Sequence, residues 1–427
     1  MKRVSVMKKI TNAKILTLDN DFSLINGEIH IDGENISYIG EPRNGEFEEV
    51  IDAQGNLVMP SFKDAHTHSA MTFLRSYADD LPLMDWLFNQ VFPMEDKLTG
   101  EDVYVFTKLA VLEYLSSGIT ACFDMYKKMD YFAKAVIDSG FKSVICSSLN
   151  DFGGSVSEIE EEYLKFNSQG PLLSYKLGIH AEYTTKLDTI KGIVDLCHKY
   201  KEGFWTHNSE TKSEVEGCLE RYQKTPTELF ESLGAFEYGG GGFHCVHMSD
   251  NDIEIFKRRG LWVVTNPGSN TKLASGIADI TKMLGNNINL AIGTDGAASN
   301  NALDMFREMY LVTGLQKLAL DDASACPAEE VLKMATVGGA RAMGLYDSDV
   351  LAVGKKADLI MIDLNKPNMQ PINNIVKNIV YSGSKQNIKL TMINGKVLYN
   401  DGKYFLDESE QDIYNRANEL AQNIKRR

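Results

Sequence analysis

The sequence predicts an α/β protein: a (β/α)8 TIM-like barrel with a β-sandwich domain formed from both chain termini. Three observations carry this prediction. The middle of the chain alternates short, apolar, β-rich runs with helix-length segments, the pattern of parallel β/α winding. Eight such runs can be marked, the number that closes a barrel. The two ends of the chain share a different texture, short alternating strands broken by Asn-Gly and Asp-Gly turns. The expected boundaries are 58–349 for the barrel and 1–57 together with 350–427 for the sandwich.

At the start, ILTLD, EIHIDG and ISYIGE alternate as strands, punctuated by Asn26-Gly27, Asp32-Gly33 and Gly40. The expected barrel strands are Leu57–Ser61, Ile119–Asp124, Ser143–Leu149, Lys176–His180, Gly203–His207, Gly242–His247, Trp262–Thr265 and Asn289–Thr294. Between the first two lies the clearest helix, EDVYVFTKLAVLEYLSSG, with Gly118 as its stop signal. The Gly239–Gly242 run lacks the P-loop pattern and precedes a strand, so it reads as a connecting turn. Towards the end, 357–364, 375–383 and 388–404 read as strands, and the last residues as one polar helix.

Of the 427 residues, 43% are hydrophobic, enough for a large core and against a disordered chain. With 44 basic against 59 acidic residues the net charge is −15, which argues against binding nucleic acid or an anionic membrane surface. Six scattered Cys form no CxxC pair, so a reducing compartment is expected. The basic N-terminus lacks the apolar stretch of a secretory leader, and no run approaches a membrane span, so a cytoplasmic location follows.

The chemistry concentrates at strand ends. Of eight His, His66 and His68 follow the first expected strand, His180 ends the fourth, His207 ends the fifth and His244 lies in the sixth. Asp295 follows the eighth. In a barrel the C-terminal strand ends share one mouth, where active sites lie. Residues two apart on a strand face the same side, so His66 and His68 can reach one ion. Any one of these histidines alone could be structural. Three His and one Asp at one mouth instead suit zinc or another borderline divalent metal, in an open, catalytic arrangement. Glu210, three residues after His207, is placed to move protons beside such an ion. Strand parity sends His244 and His247 in opposite directions, so one of them enters the mouth; Cys245 reads as a buried structural thiol. The LMDWLFNQVFPME segment (83–95) reads as core or lid, or as the wall of a pocket for a flat ring.

Together these residues resemble the amidohydrolase superfamily, and more closely its S-adenosylhomocysteine/methylthioadenosine deaminase-like branch, related to the cytosine and guanine deaminases. The resemblance is carried by His66-Thr67-His68, Met71-Thr72-Phe73-Leu74-Arg75, Trp86-Leu87 and Pro93-Met94-Glu95. It continues through His207-Asn208-Ser209-Glu210, His244-Cys245-Val246-His247, Asn266-Pro267-Gly268-Ser269-Asn270 and the Gly293–Asn301 run. It implies His66, His68, His207 and Asp295 as metal ligands, Glu210 as acid/base, His244 as polariser of the attacking water, and a structural His247. It further implies substrate contacts from Glu95, on a nucleoside sugar, and from His180, with Trp86 on the pocket wall. No bridging lysine is evident on the fourth strand, so one divalent metal ion is implied: zinc, with iron and manganese as alternatives.

One departure stands out. Adenosine-type members place an arginine after paired glycines beyond the third strand, whereas Asp151-Phe152-Gly153-Gly154-Ser155 is followed by no arginine until Arg221. Recognition of a homocysteine carboxylate or of the sugar edge is thereby left open. The expected activity is that of a metal-dependent aminohydrolase: hydrolytic deamination of an amino-purine or adenine nucleoside, releasing ammonia. Asp295 or His244 takes the water proton and Glu210 protonates the ring nitrogen beside the amino carbon. Guanine or another aminated heterocycle is the alternative substrate, and a triazine or cyclic-amide hydrolase or a non-catalytic metal-binding scaffold the alternative role. The partner is a small heterocycle, not a nucleic acid or membrane, and the resemblance implies a homo-oligomer.

Overall fold

The computed structural model describes residues 7–19 and 22–427. The first six residues, which the sequence reading assigned to the sandwich and used against a secretory leader, lie outside the described residues, as do residues 20 and 21. Five strands come first: β1 (Met7–Leu16), β2 (Leu24–Asp32), β3 (Asn35–Gly40), β4 (Glu49–Asp52) and β5 (Leu57–Pro60). Eight more follow at intervals: β6 (Phe62–Thr67), β7 (Ile119–Met125), β8 (Lys142–Cys146), β9 (Leu173–Ala181), β10 (Phe204–Asn208), β11 (Gly240–His244), β12 (Trp262–Thr265) and β13 (Asn289–Ile292). The chain closes with β14 (Leu359–Ile362), β15 (Ile388–Ile393), β16 (Lys396–Asn400), β17 (Lys403–Tyr404) and the helix Glu410–Arg426.

Strands β6 to β13 pair in sequence order, all parallel, as the β/α alternation predicts. Where β13 returns to β6, the Asp295 amide donates to the His66 carbonyl at 2.9 Å, and the Thr294 amide donates to the Asp64 carboxylate at 2.8 Å. The interior is filled, not hollow: Ala65, Phe123, Val144, Trp205, Phe243, Val264 and Ala291 form one buried cluster from successive strands. The terminal sheet runs β17-β16-β15-β14-β5-β1-β2-β3, with β4 beside β1, and curls over its own apolar core of residues such as Ile10, Ile29, Val58, Leu359 and Met392.

Three expectations need correcting. Leu57–Ser61 is not the first barrel strand: residues 57–60 form β5, between β1 and β14 of the terminal sheet. The first barrel strand is Phe62–Thr67, and a single residue, Ser61, separates the two. Both runs are fully buried, so hydrophobicity shows no break between them, and the 57/58 boundary falls inside a strand. The segment 375–383 is helical. Its apolar residues Ile375, Val376, Ile379 and Val380 are spaced for one helix face, and Asn374 caps the start by accepting from the Lys377 amide at 2.9 Å. The Gly239–Gly242 run is mostly strand, since β11 begins at Gly240. Glycine is needed there because a Cβ on Gly240 would lie 2.0 Å from the Phe204 carbonyl oxygen, and one on Gly241 2.3 Å from that of Trp262. Strand β11 then stops at His244, where His244 and Cys245 take φ values of +68° and +50°. The parity argument relating His244 to His247 therefore does not apply.

Candidate active site

The strand ends bring the five expected donors together. His66 is the penultimate residue of β6, and His68 lies just beyond it on the same side. Their rings stand 4.9 Å apart. From β10, His207 places its ring 4.8 Å from His66; from the end of β11, His244 lies 5.6 Å from His66 and 5.4 Å from His207. Asp295 follows β13 in a left-handed turn (φ +58°), a conformation that Asp tolerates better than most residues. Its Oδ1 lies 3.1 Å from His68 Nε2 and 3.6 Å from His66 Nε2, and its Oδ2 4.0 Å from His244 Nε2. His66, His68 and His207, and likewise His66, His244 and Asp295, each offer ligand atoms within 4.8 Å of one another.

Neighbouring groups fix which nitrogen faces inward. His207 Nδ1 lies 2.7 Å from the His180 carbonyl, and His68 Nδ1 faces the Met125 carbonyl. A carbonyl only accepts, so each Nδ1 carries a proton and each Nε2 points into the cluster; that of His207 presents a lone pair, and that of His68 donates to Asp295 until an ion displaces its proton. His244 Nδ1 likewise donates to Asn270 Oδ1 at 2.8 Å. Burial drives His66 and His207 well below the ordinary histidine range, which keeps them neutral and competent as ligands. Burial opposes charge on His68, but the Asp295 carboxylate outweighs it and holds that ring at about 9. Burial raises Asp295 too, yet the hydrogen bond and charge of His68 bring its carboxyl well below the usual range.

A divalent cation fits this cluster. Both ring nitrogens of His66 are buried without a hydrogen-bond partner, a costly arrangement for imidazole unless one of them ligates an ion. His66 and His207 are neutral imidazoles, His68 would give up its proton to an ion that took its place beside Asp295, and with the Asp295 carboxylate these are the donors that zinc and similar metals take.

Glu210 follows β10 and is 4% exposed. Its Oε1 accepts from the Ser275 hydroxyl at 3.2 Å and lies 3.9 Å from His244 Nδ1. Burial raises its carboxyl above the ordinary glutamate value. The loop is held by Glu214, whose carboxylate accepts from the amides of Ser209 and Glu210 at 2.9 and 2.7 Å. His247 points away from the cluster, its Nε2 donating to the Ser275 carbonyl at 2.7 Å. Cys245 is buried and, like the other five cysteines, unpaired.

His68, His207, His244 and Asp295 line a recess together with Leu83, Trp86, Phe92, Tyr183 and Leu273. The 83–95 segment thus walls the pocket. His180 lines the recess, bonded through Nδ1 to Thr184 Oγ1 at 2.9 Å; burial brings its ring down to about 3. Glu95 is 3% exposed, and its Oε2 pairs with Lys127 Nζ at 3.2 Å. Its Oε1 and the Tyr126 hydroxyl are buried, and Glu95 and Tyr126 both line the recess, burial and then the carboxylate raising the phenol.

Sequence reasoning missed several supporting residues. Asp64 clamps the β13 end through Thr294, and burial lifts its carboxyl to about 8. Its signal was a carboxylate inside an apolar strand, two residues before His66. Asp124 accepts from the Ser69 amide at 2.8 Å and steadies the turn after His68. Glu214 was readable only as the third residue of the helix that Thr211 caps. Tyr126 had no signal.

Known proteins resemble this chain over most of its length. The model described as "Amidohydrolase family" matches residues 57–398. A 5-methylthioadenosine/S-adenosylhomocysteine deaminase of Caldanaerobacter subterraneus subsp. tengcongensis is 39% identical, covering 98% of this chain and 98% of the relative. A 5′-deoxyadenosine deaminase of Methanosarcina acetivorans is also 39% identical, over 95% of each chain. Among solved structures, an adenosine deaminase from Xanthomonas campestris with bound zinc superimposes with a TM-score of 0.93. It is 28% identical and covers 98% of this chain and 99% of that one.

Proposed function

The chain belongs to the amidohydrolase family, and on that footing we propose that the barrel mouth deaminates an adenine nucleoside of the 5′-methylthioadenosine type, releasing ammonia. The observation that carries this reading is the gathering of His66 with His68 and His207, and with His244 and Asp295, beside Glu210. His66, His68, His207 and Asp295 hold a single divalent ion, with zinc first and iron or manganese as alternatives. When bound, that ion supplies Lewis-acid activation of water at neutral pH.

The chain's own residues do the rest. Glu210, raised by burial, holds a proton for the ring nitrogen beside the amino-bearing carbon. His244, oriented by Asn270, presents Nε2 to the attacking water and takes its proton together with Asp295. Water adds to the ring carbon, the proton taken by His244 and Asp295 passes to the amino group, and ammonia leaves as the carbonyl forms and the hydroxyl proton returns to Glu210. Glu95 Oε1 accepts from a sugar hydroxyl, while Trp86 and His180 bound the flat ring. This chemistry belongs to the barrel that begins at Phe62, supported by the sheet built from the two ends of the chain. Its setting is a homo-oligomer in the cytoplasm, where unpaired buried cysteines persist.

The test is ammonia release from adenine nucleosides, guanine and a triazine by protein whose metal content has been measured. The expected result is about one metal per chain, as a single three-His, one-Asp site implies, with the adenine nucleosides turned over in preference to the others. Metal-loaded protein that releases no ammonia from any of them would overturn the reading.

A further inference from the structure

The two similar deaminases are named for nucleosides that differ at the 5′ carbon. 5′-Deoxyadenosine and 5′-methylthioadenosine end there in an uncharged group, whereas S-adenosylhomocysteine ends in an amino acid that carries both a carboxylate and an ammonium. With the amino carbon at the histidine cluster and the sugar at Glu95, as proposed above, this substituent lies toward the rim of the recess. Phe92 lines the recess, and Phe88 and Phe152 pack against it just outside that lining. Starting from His207, the rings step outward: His180 at 4.8 Å, Phe92 6.3 Å beyond it, and Phe152 5.6 Å beyond that. Phe88 closes the group, 5.4 Å from Phe92 and 6.2 Å from Phe152. Phe152 is 66% exposed and Phe88 39% exposed, unusual values for phenylalanine.

Among the described residues, the one lysine or arginine that lines the recess already has carboxylate partners. Lys127, the cation in the recess lining, has Nζ 3.2 Å from Glu95 and 3.9 Å from Asp96. Arg221 grips the buried Glu182 through both Nε and Nη2, at 3.1 and 2.5 Å. A carboxylate brought against these phenyl rings would shed water there, with the lysine of the recess lining already paired to Glu95, which is unfavourable. A methyl or thioether group instead gains aromatic contact and buries apolar surface. We infer that Phe88, Phe92 and Phe152 form a seat for an uncharged 5′ substituent, with Phe152 a specificity-determining residue that disfavours the amino acid tail of S-adenosylhomocysteine.

The experiment compares kcat/KM for 5′-deoxyadenosine, 5′-methylthioadenosine and S-adenosylhomocysteine in the wild type, Phe152→Ala and Phe152→Arg. Metal content and melting temperature are matched across the three proteins. The wild type should favour 5′-methylthioadenosine over S-adenosylhomocysteine by about tenfold or more, the discrimination expected when a charged group meets no partner. Phe152→Ala should lower kcat/KM for 5′-methylthioadenosine by about three- to tenfold, the usual weight of one aromatic contact, with little change for S-adenosylhomocysteine. Phe152→Arg should narrow the gap by raising the rate on S-adenosylhomocysteine. S-adenosylhomocysteine turned over as well as 5′-methylthioadenosine by the wild type, or an equal loss on both in Phe152→Ala, would overturn this inference alone. Failure to deaminate all three would overturn the proposed reaction and this inference with it.

Discussion

Glu210 is a carboxyl whose ionised form the protein disfavours: it is buried, and its one close side-chain hydrogen bond comes from Ser275. A group so placed can keep a proton and deliver it. Glu210→Gln preserves the shape but removes that proton, so kcat should fall by about 10² to 10⁴ with metal content unchanged, as ammonia release and metal analysis would show. Turnover near the wild-type rate would take Glu210 out of the mechanism. Asp295→Ala should lose both turnover and metal. His247 acts at one remove, because it holds the Ser275 carbonyl while the Ser275 hydroxyl holds Glu210. His247→Ala should lower kcat more than it raises KM, and His247→Gln, which can still donate to that carbonyl, should recover most of the loss. The donors themselves were readable because His at strand ends is a rare residue in a demanding place. Asp64, Asp124 and Glu214 were not, because their task is to accept backbone amides, and many buried carboxylates could do that.

Among the elements, the seam between β13 and β6 matters most to the site, because it sets Asp295 against the two histidines of β6. Gly293 lies at that seam. A Cβ there would sit 2.7 Å from both the amide nitrogen and the carbonyl oxygen of His66, and 2.5 Å from the side-chain carboxamide of Asn266. Backbone on the facing strand cannot yield as a flexible side chain would. Gly293→Ala should therefore cost about 1–3 kcal/mol in urea unfolding, as overpacking does. Activity should suffer more than stability, because the Asp295-to-His66 hydrogen bond is at the same place; normal turnover would mean the seam tolerates the spread. At this scale the alternation of runs was legible and exact strand limits were less so. The β5-to-β6 junction was hidden because buried strands of two different sheets follow one another across Ser61. Residues 375–383 misled because β-branched residues filled a helical face.

Over the whole molecule, barrel and terminal sheet meet through polar groups removed from water. Lys142 Nζ lies 2.6 Å from Asp358, whose other oxygen accepts from the Asn394 amide at 2.8 Å. Beside them Lys63 is fully buried, its amine bonded only to hydroxyls, those of Ser61 at 2.6 Å and Thr120 at 2.8 Å. Burial pushes this amine down to about 8, against the attraction of Asp358. Below that pH the amine is charged in folded and unfolded chains alike, so the fold carries the full desolvation cost. Between about 8 and the unfolded value near 10.4, the unfolded chain binds more protons, and stability rises with pH. Lys63→Met keeps similar bulk and leaves Ser61 and Thr120 bonded to each other at 2.6 Å. The variant should be more stable than the wild type at pH 7, by up to about 3 kcal/mol, the value of such a displacement. That advantage should shrink steadily from pH 8 towards 10 when urea midpoints of the two proteins are compared, since the ionisations of other groups are common to both. Parallel pH profiles, or a variant less stable at pH 7, would mean that the hydroxyl contacts of Lys63 outweigh the cost of burying its charge.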